Sequence, residues 1–209
     1  MAKRAPTVTA PRRRPVQERS AQLVADILVA AIRVLEREGA QRFTTIRVAD
    51  EAGVSVGSLY QYFPNKQAIL FRLQLDEWEQ TGAMLDGILG DTSRAPTIRL
   101  RDATRAFFQS ECDEAPLRIA LASAAPSYRD APESRARRTR SSRIVNAFVA
   151  AAAPRASARQ RTFAAELIFM TMTSLGKQLS ERGPTRAEVV TWADTVADML
   201  CAYLAQLAP

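Results

Sequence analysis

Residues 43–66, FTTIRVADEAGVSVGSLYQYFPNK, place two helix starts, one sharp turn and one hard stop within a short span. Thr44 or Thr45 caps a helix that runs to Ala52 and buries Ile46 or Val48 together with Ala49. Gly53 permits a tight turn, and Ser55 caps a third helix over about Val56–Phe63. Pro64 ends it, because the residue before a proline is driven out of α geometry. Asn65 then caps a long fourth helix. Two short helices hinged at Ala52-Gly53-Val54-Ser55, behind a basic arm, form a helix-turn-helix that suits the DNA major groove.

Helical periodicity governs the rest of the chain. Leu23, Ile27, Ala30, Ala31, Val34 and Leu35 recur on one face of a helix from about Gln17, with Gly39 as its stop. The fourth helix continues through Ile69, Leu70, Leu73, Trp78, Met84 and Leu85 towards Leu89. Further helices are expected at about 97–111, 115–124, 133–152, 157–182 and 185–207, with prolines at or near their starts, where a missing N–H is tolerated. No strand-like alternation or hairpin signal interrupts them. The expectation is all-α with about nine helices, in three parts: a disordered basic arm (1–16), a helix-turn-helix domain (17–66) and a helical ligand-binding and dimerisation domain (67–209).

Charge and composition narrow the chemistry. The net charge of +7 is concentrated in the arm, where Lys3, Arg4, Arg12, Arg13 and Arg14 stand without acids. Such an arm is either a solvated tail or a segment drawn to phosphate and the minor groove. The chain has no histidine, which removes Ser-His-Asp and Cys-His catalysis, histidine zinc sites and the di-iron Glu-x-x-His motif. It also lacks a glycine-rich phosphate loop. A lysine- or carboxylate-based enzyme is left open by composition, but no enzyme, cofactor or metal is expected. No apolar run reaches the roughly 18 residues of a membrane span, and the N-terminal stretch has no secretory h-region. Cys112 and Cys201 stand far apart, consistent with free thiols in a reducing cytoplasm.

Within the third helix, Leu59 and Phe63 lie four apart and should face inward. Val56, Gly57, Ser58, Tyr60, Gln61 and Tyr62 are then left on or near the outer faces. Gly57 costs a helix about 1 kcal/mol against alanine, and its return would be close approach to another molecule. Gln61 can pair with an adenine edge, tyrosine hydroxyls can reach phosphate, and Ser58 can meet base or phosphate. Lys66 opens the fourth helix, where the macrodipole disfavours a lysine unless a phosphate sits there. Thr45 offers a second anion seat by the same logic.

The segment from about Leu23 to Leu70 resembles the DNA-binding domain of the TetR (tetracycline-repressor) family. The resemblance rests on Phe43-Thr44-Thr45, Val48-Ala49, Ala52-Gly53-Val54-Ser55, Gly57-Ser58-Leu59-Tyr60, Tyr62-Phe63 and Asn65-Lys66. Many members carry histidine where this chain has Tyr62. The resemblance implies a homodimeric repressor on a palindromic double-stranded operator, released by a small-molecule effector. Carried over by position, the DNA contacts are Thr45, Ser55, Val56, Gly57, Ser58, Tyr60, Gln61, Tyr62 and Lys66.

The two last helices fit a dimer interface on their own pattern. One presents Phe163, Leu167, Met170, Leu175 and Leu179, the other Val189, Trp192, Val196, Met199 and Tyr203, which together suit a four-helix bundle between subunits; burial within one chain is the alternative. Ala164, Ala165 and Gly176 would permit close helix approach. Candidate ligand residues are Phe107, Phe108, Glu111, Phe148, Phe169 and Met172, around an apolar cavity; plain core is the alternative for each. Glu111, Asp113 and Glu114 are acids that a cationic ligand could meet, unless they are simply solvated. The basic stretch Arg135, Arg137, Arg138, Arg140 and Arg143 is expected to face water. The competing function is a dimeric helical small-molecule-binding protein without a DNA role.

Overall fold

Nine helices are found among the described residues, which in this computed structural model are 15–124 and 132–207; for 15–18, 121–124, 132–138 and 141 only the backbone is described. They are α1 (Pro15–Arg42), α2 (Thr45–Ala52), α3 (Val56–Tyr60), α4 (Lys66–Gly90), α5 (Pro96–Asp113), α6 (Ala115–Ala124), α7 (Pro132–Ala152), α8 (Ala158–Ser180) and α9 (Arg186–Leu207). No strand occurs among these residues, as the periodicity predicts. Residues 1–14 of the basic arm, and the side chains of Arg135, Arg137 and Arg138, lie outside the description. Arg140 and Arg143 are exposed, as expected.

Caps explain where the helices begin. Thr44, not Thr45, is the N-cap of α2, its Oγ1 accepting from Arg47 N at 3.3 Å. Ser55 Oγ accepts from Ser58 N at 3.0 Å, and Asn65 Oδ1 from Ala68 N at 2.8 Å. Ser157 and Gln160 close a reciprocal capping box on α8. Gly39 is not a clean stop. It breaks α1 with φ 73° and ψ 173°, a conformation essentially reserved for glycine, and a last turn follows to Arg42. Pro15 and Val16, expected in the arm, already belong to α1. Helix α3 ends at Tyr60 rather than Phe63, although Gln61 keeps helical angles and Phe63 N–H still reaches Leu59 O at 3.0 Å ahead of Pro64.

Two apolar cores result. The first joins Ile27, Ala31 and Val34 of α1 to Val48, Ala49, Leu59 and Phe63, and extends to Ile69, Leu70 and Leu73 of α4 and Ala120 of α6. Ile46 is excluded from it and faces solvent, so Val48 is the residue of that pair that is buried. Surface ion pairs of Arg37 with Glu51 (2.8 Å) and of Arg47 with Glu38 tie α1 to α2. The second core is centred on α5, which packs against α4, α8 and α9 and carries Leu100, Ala103, Phe107 and Phe108 inward. Gly176 of α8 makes a close approach there. A Cβ at that position would lie 3.1 Å from Phe107 and 3.2 Å from Glu111. Its close approach is thus to α5; Ala164 and Ala165 are likewise buried in this core.

Candidate nucleic-acid interface and sensor cleft

The turn between α2 and α3 is built by Gly53, held at φ 67° and ψ 29° with its N–H on the carbonyls of Ala49 and Asp50. That left-handed cap sets the angle at which α3 leaves α2. Leu59 is fully buried and Phe63 nearly so, as their spacing predicts, and they anchor α3 from beneath. Gly57 and Gln61 face out, and Tyr60 is 49% exposed. A Cβ on Gly57 would meet only Ser55 Oγ, at 3.8 Å, so no internal contact requires this glycine. The exposed face of α3 is therefore short, polar and unobstructed.

Its side chains are already arranged by the protein. The hydroxyls of Thr45 and Tyr60 share a hydrogen bond at 3.1 Å, which joins the start of α2 to the end of α3. Thr45 itself is buried, so only its immediate surroundings, not its bulk, reach the surface. Ser55 and Ser58 are paired through their hydroxyls at 2.8 Å. Two expected outer residues are only half outside: Val56 and Tyr62 pack against the first core, and Tyr62 shares a 3.2 Å hydrogen bond with Ser20 of α1. A helix of five residues turns too little backbone outward to expose all its neighbours. Lys66 stands partly exposed at the first position of α4, directly after the Asn65 cap.

Two family models cover most of the chain. Residues 27–73 match bacterial regulatory proteins of the tetR family, and residues 95–207 match the tetracyclin repressor-like C-terminal domain. The chain belongs to the TetR family. It is accordingly a helix-turn-helix DNA-binding transcriptional regulator. Nucleoid occlusion factor SlmA of Actinobacillus pleuropneumoniae serotype 5b (strain L20) is 41% identical over 76 residues, 36% of this chain and 35% of that protein. SlmA of Haemophilus influenzae (strain PittGG) is 39% identical over 80 residues, 37% and 34% of the two chains. The chain spans about a third of the length of these curated relatives. A TetR-family regulator from Mesorhizobium loti superposes with a TM-score of 0.68 at 21% identity over 88% of this chain and 98% of that one. FadR of Bacillus subtilis, solved with stearoyl-CoA, gives 0.65 at 17% identity over 85% and 97%. At such identities the likeness is one of fold.

The candidate ligand residues fall where the plain-core reading puts them rather than around a cavity. Phe107, Phe108, Phe148 and Met172 are buried in the second core, and Phe169 packs against it. Arg99, itself buried, lays its guanidinium 5.3 Å from the Phe148 ring centre and donates to Leu89 O at 2.7 Å. Glu111 is ion-paired with Arg118, which also donates to Ser180. These six residues are filled or committed within the chain. A cleft of about 490 Å³ lies elsewhere, where α1, α4, α5 and α6 meet, and none of the six lines it. Its walls are Ile32 and Leu35 of α1, Leu73 and Met84 of α4 and Leu117 of α6, with Glu36, Glu77, Thr81, Ser110, Asp113 and Glu114 among the polar groups. Periodicity missed Glu36, Glu77, Thr81 and Ser110, because the helices that bring them together lie far apart in the chain.

The expected dimer stripe divides in two. Phe163 (58% exposed) and Met170 on α8, and Trp192 and Met199 on α9, are left outside, each pair seven residues apart on one helix face. Leu167, Leu175 and Tyr203 are half-buried. Val196 faces the other way and belongs to the second core, against α5. The two cysteines are free, and burial pushes both thiols above their ordinary range. Among the described residues no helix is long and apolar enough to cross a membrane.

Proposed function

We propose that the protein is a homodimeric repressor that reads a palindromic operator with α3 and leaves it when a small molecule binds the body. Residues 17–66 form the reading head, 67–209 the sensing and dimerising body, and 1–16 a basic arm; such a protein works beside DNA in the cytoplasm. The observation that carries this reading is the outward face of α3: Gly57, Tyr60 and Gln61 are turned to solvent while Leu59 locks the helix from below. Ser55, Ser58, Tyr60 and Gln61 meet bases and nearby phosphates, with Gly57 admitting the backbone close to the groove. Lys66 holds a phosphate at the start of α4, and the buried Thr45 positions the Tyr60 hydroxyl rather than meeting DNA with its own bulk. Val56 and Tyr62 shape the edge of the contact. Phe163, Met170, Trp192 and Met199 pair with their symmetry mates, setting the heads about 34–36 Å apart.

Fluorescence anisotropy with duplexes from upstream of the protein's own gene tests the reading. The expected result is tight binding of one palindromic duplex and weak, salt-sensitive binding of scrambled ones. Equal affinity for both would reject sequence-specific recognition.

A further inference from the structure

We infer that the cleft between head and body is an effector site, and that it takes an amphipathic organic cation, such as an alkyl- or arylalkylammonium. This rests on the ligand-responsive reading above and adds the place and the chemical class. The deciding group is Glu114, in the single-residue gap between α5 and α6. Its backbone is held on both sides, N–H to Ser110 O at 2.9 Å and carbonyl from Arg118 N at 3.0 Å, so its side chain has a fixed root. It is only 8% exposed and lines the cleft.

Buried carboxylates ordinarily have a cation or several donors. Glu114 has neither in full. Its Oε1 is approached by the hydroxyls of Ser110 and Thr81, and each hydroxyl carries one proton. Thr81 also lies 3.2 Å from Glu77 and 2.9 Å from Ser110, so its single proton is contested. Among the described residues, no ion pair involves Glu114, Asp113 or Glu36 and no lysine or arginine lines the cleft. The contrast is local: Glu111, one turn earlier, has Arg118 as its cation.

The remaining wall decides the class. Ile32, Leu73 and Leu117 offer hydrocarbon contact, which a bare ion cannot use. No group of three or more histidine, cysteine or acidic side chains among the described residues could hold a metal ion. An anion would meet carboxylates, and a neutral ligand would bring no positive charge to Glu114, whose two hydroxyl partners are both neutral. An ammonium with an apolar body satisfies both features, and about 490 Å³ accommodates a small organic molecule.

The test is calorimetric titration of the full-length protein with 4-phenylbutylamine, and with 4-phenylbutan-1-ol and 4-phenylbutyrate as its neutral and anionic matches. The amine should bind about tenfold or more tighter than the alcohol, and the carboxylate weakest. Glu114→Gln should erase the preference for the amine while melting cooperatively. Met84→Trp, on the exposed rim of α4, should weaken amine and alcohol together; it keeps the idea testable if the first variant does not fold. Equal binding of amine and alcohol, or an undiminished preference in Glu114→Gln, overturns the site. Repeating the titration on the operator complex separates the two levels. Amine bound at the cleft with operator affinity unchanged supports the site and overturns ligand release. No amine binding by a protein that still grips its operator overturns the site and leaves DNA reading intact.

Discussion

Two glycine substitutions should move stability in opposite directions, and the structure says by how much. Gly53 sits in the left-handed region, where a side chain costs about 1–2 kcal/mol. A Cβ there would meet nothing within 4 Å, so Gly53→Ala isolates backbone strain from any clash. Gly87 is in the interior of α4, also with open space around an added Cβ. Alanine there should stabilise by about 0.5–1 kcal/mol, through helix propensity and a less disordered unfolded chain. For a chain of this size, about 2–4 °C accompany each kcal/mol. Gly53→Ala should therefore lower the melting temperature by about 2–8 °C, and Gly87→Ala raise it by about 1–4 °C, measured at one protein concentration because the melting of any self-associating chain depends on it. Gly53→Ala should also weaken operator binding, since that residue sets the angle of α3. A Gly53→Ala protein as stable as wild type would refute the claim that the left-handed cap holds the turn.

Three further outcomes rest on the same packing and charge arrangement. Lys66→Ala should weaken binding to specific and scrambled duplexes alike and flatten the salt dependence by about one charge; an unaltered slope in anisotropy titrations removes Lys66 from the phosphate contacts. Trp192→Asp combined with Met199→Asp should shift the protein to monomer in analytical ultracentrifugation with the helical circular dichroism retained, and a persistent dimer would move the interface elsewhere. Stability should fall in acid: hydrogen bonds from Arg105 to Asp194, from Thr185 to Glu188 and from Ser93 to Asp91 hold these carboxyls below their ordinary values. With the folded pKa depressed, their contribution is present at neutral pH and is lost as pH falls through the folded values. Melting followed from pH 7 to pH 3 checks this, and Asp194→Asn should flatten the acid side of the curve.

Legibility in the sequence tracked locality. Gly53, Ser55, Pro64 and Asn65 act on their own backbone or on residues three or four away, so the turn, the caps and the start of α4 could be read directly. Leu59 and Phe63 were equally plain, since a four-residue spacing fixes a shared face. What lay outside the sequence was the identity of each neighbour. Phe107 and Phe148 look the same on a helix whether they wall a cavity or fill a core, and here they fill a core. The apolar stripe on α9 is wide enough to face two partners; α5 takes Val196, and Trp192 and Met199 are left outside. Glu114 was visible as an acid, but that its partners are the hydroxyls of Thr81 and Ser110 shows only when α4 is laid beside α5.

The position of the cleft matters as much as its chemistry. Thr81 lies fifteen residues along α4 from Lys66, about 22 Å at helical rise. A tilt of about 5° pivoting near Thr81 would carry Lys66 about 2 Å, and the two heads of a dimer up to about 4 Å apart or together. Hydrogen bonds to bases tolerate only a few tenths of an ångström, so a small wedge at the cleft is amplified beyond what operator contacts can absorb. Helix α6 strengthens the link, because Leu117 stands in the cleft wall while Ala120, one turn on, is buried in the core of the head. The energy required is modest. Lowering operator affinity a hundredfold takes about 2.7 kcal/mol of preference for the released state. A charge-assisted hydrogen bond is worth about 1.5–3 kcal/mol, so an ammonium that reaches Glu114 fully only when head and body part could supply most of it.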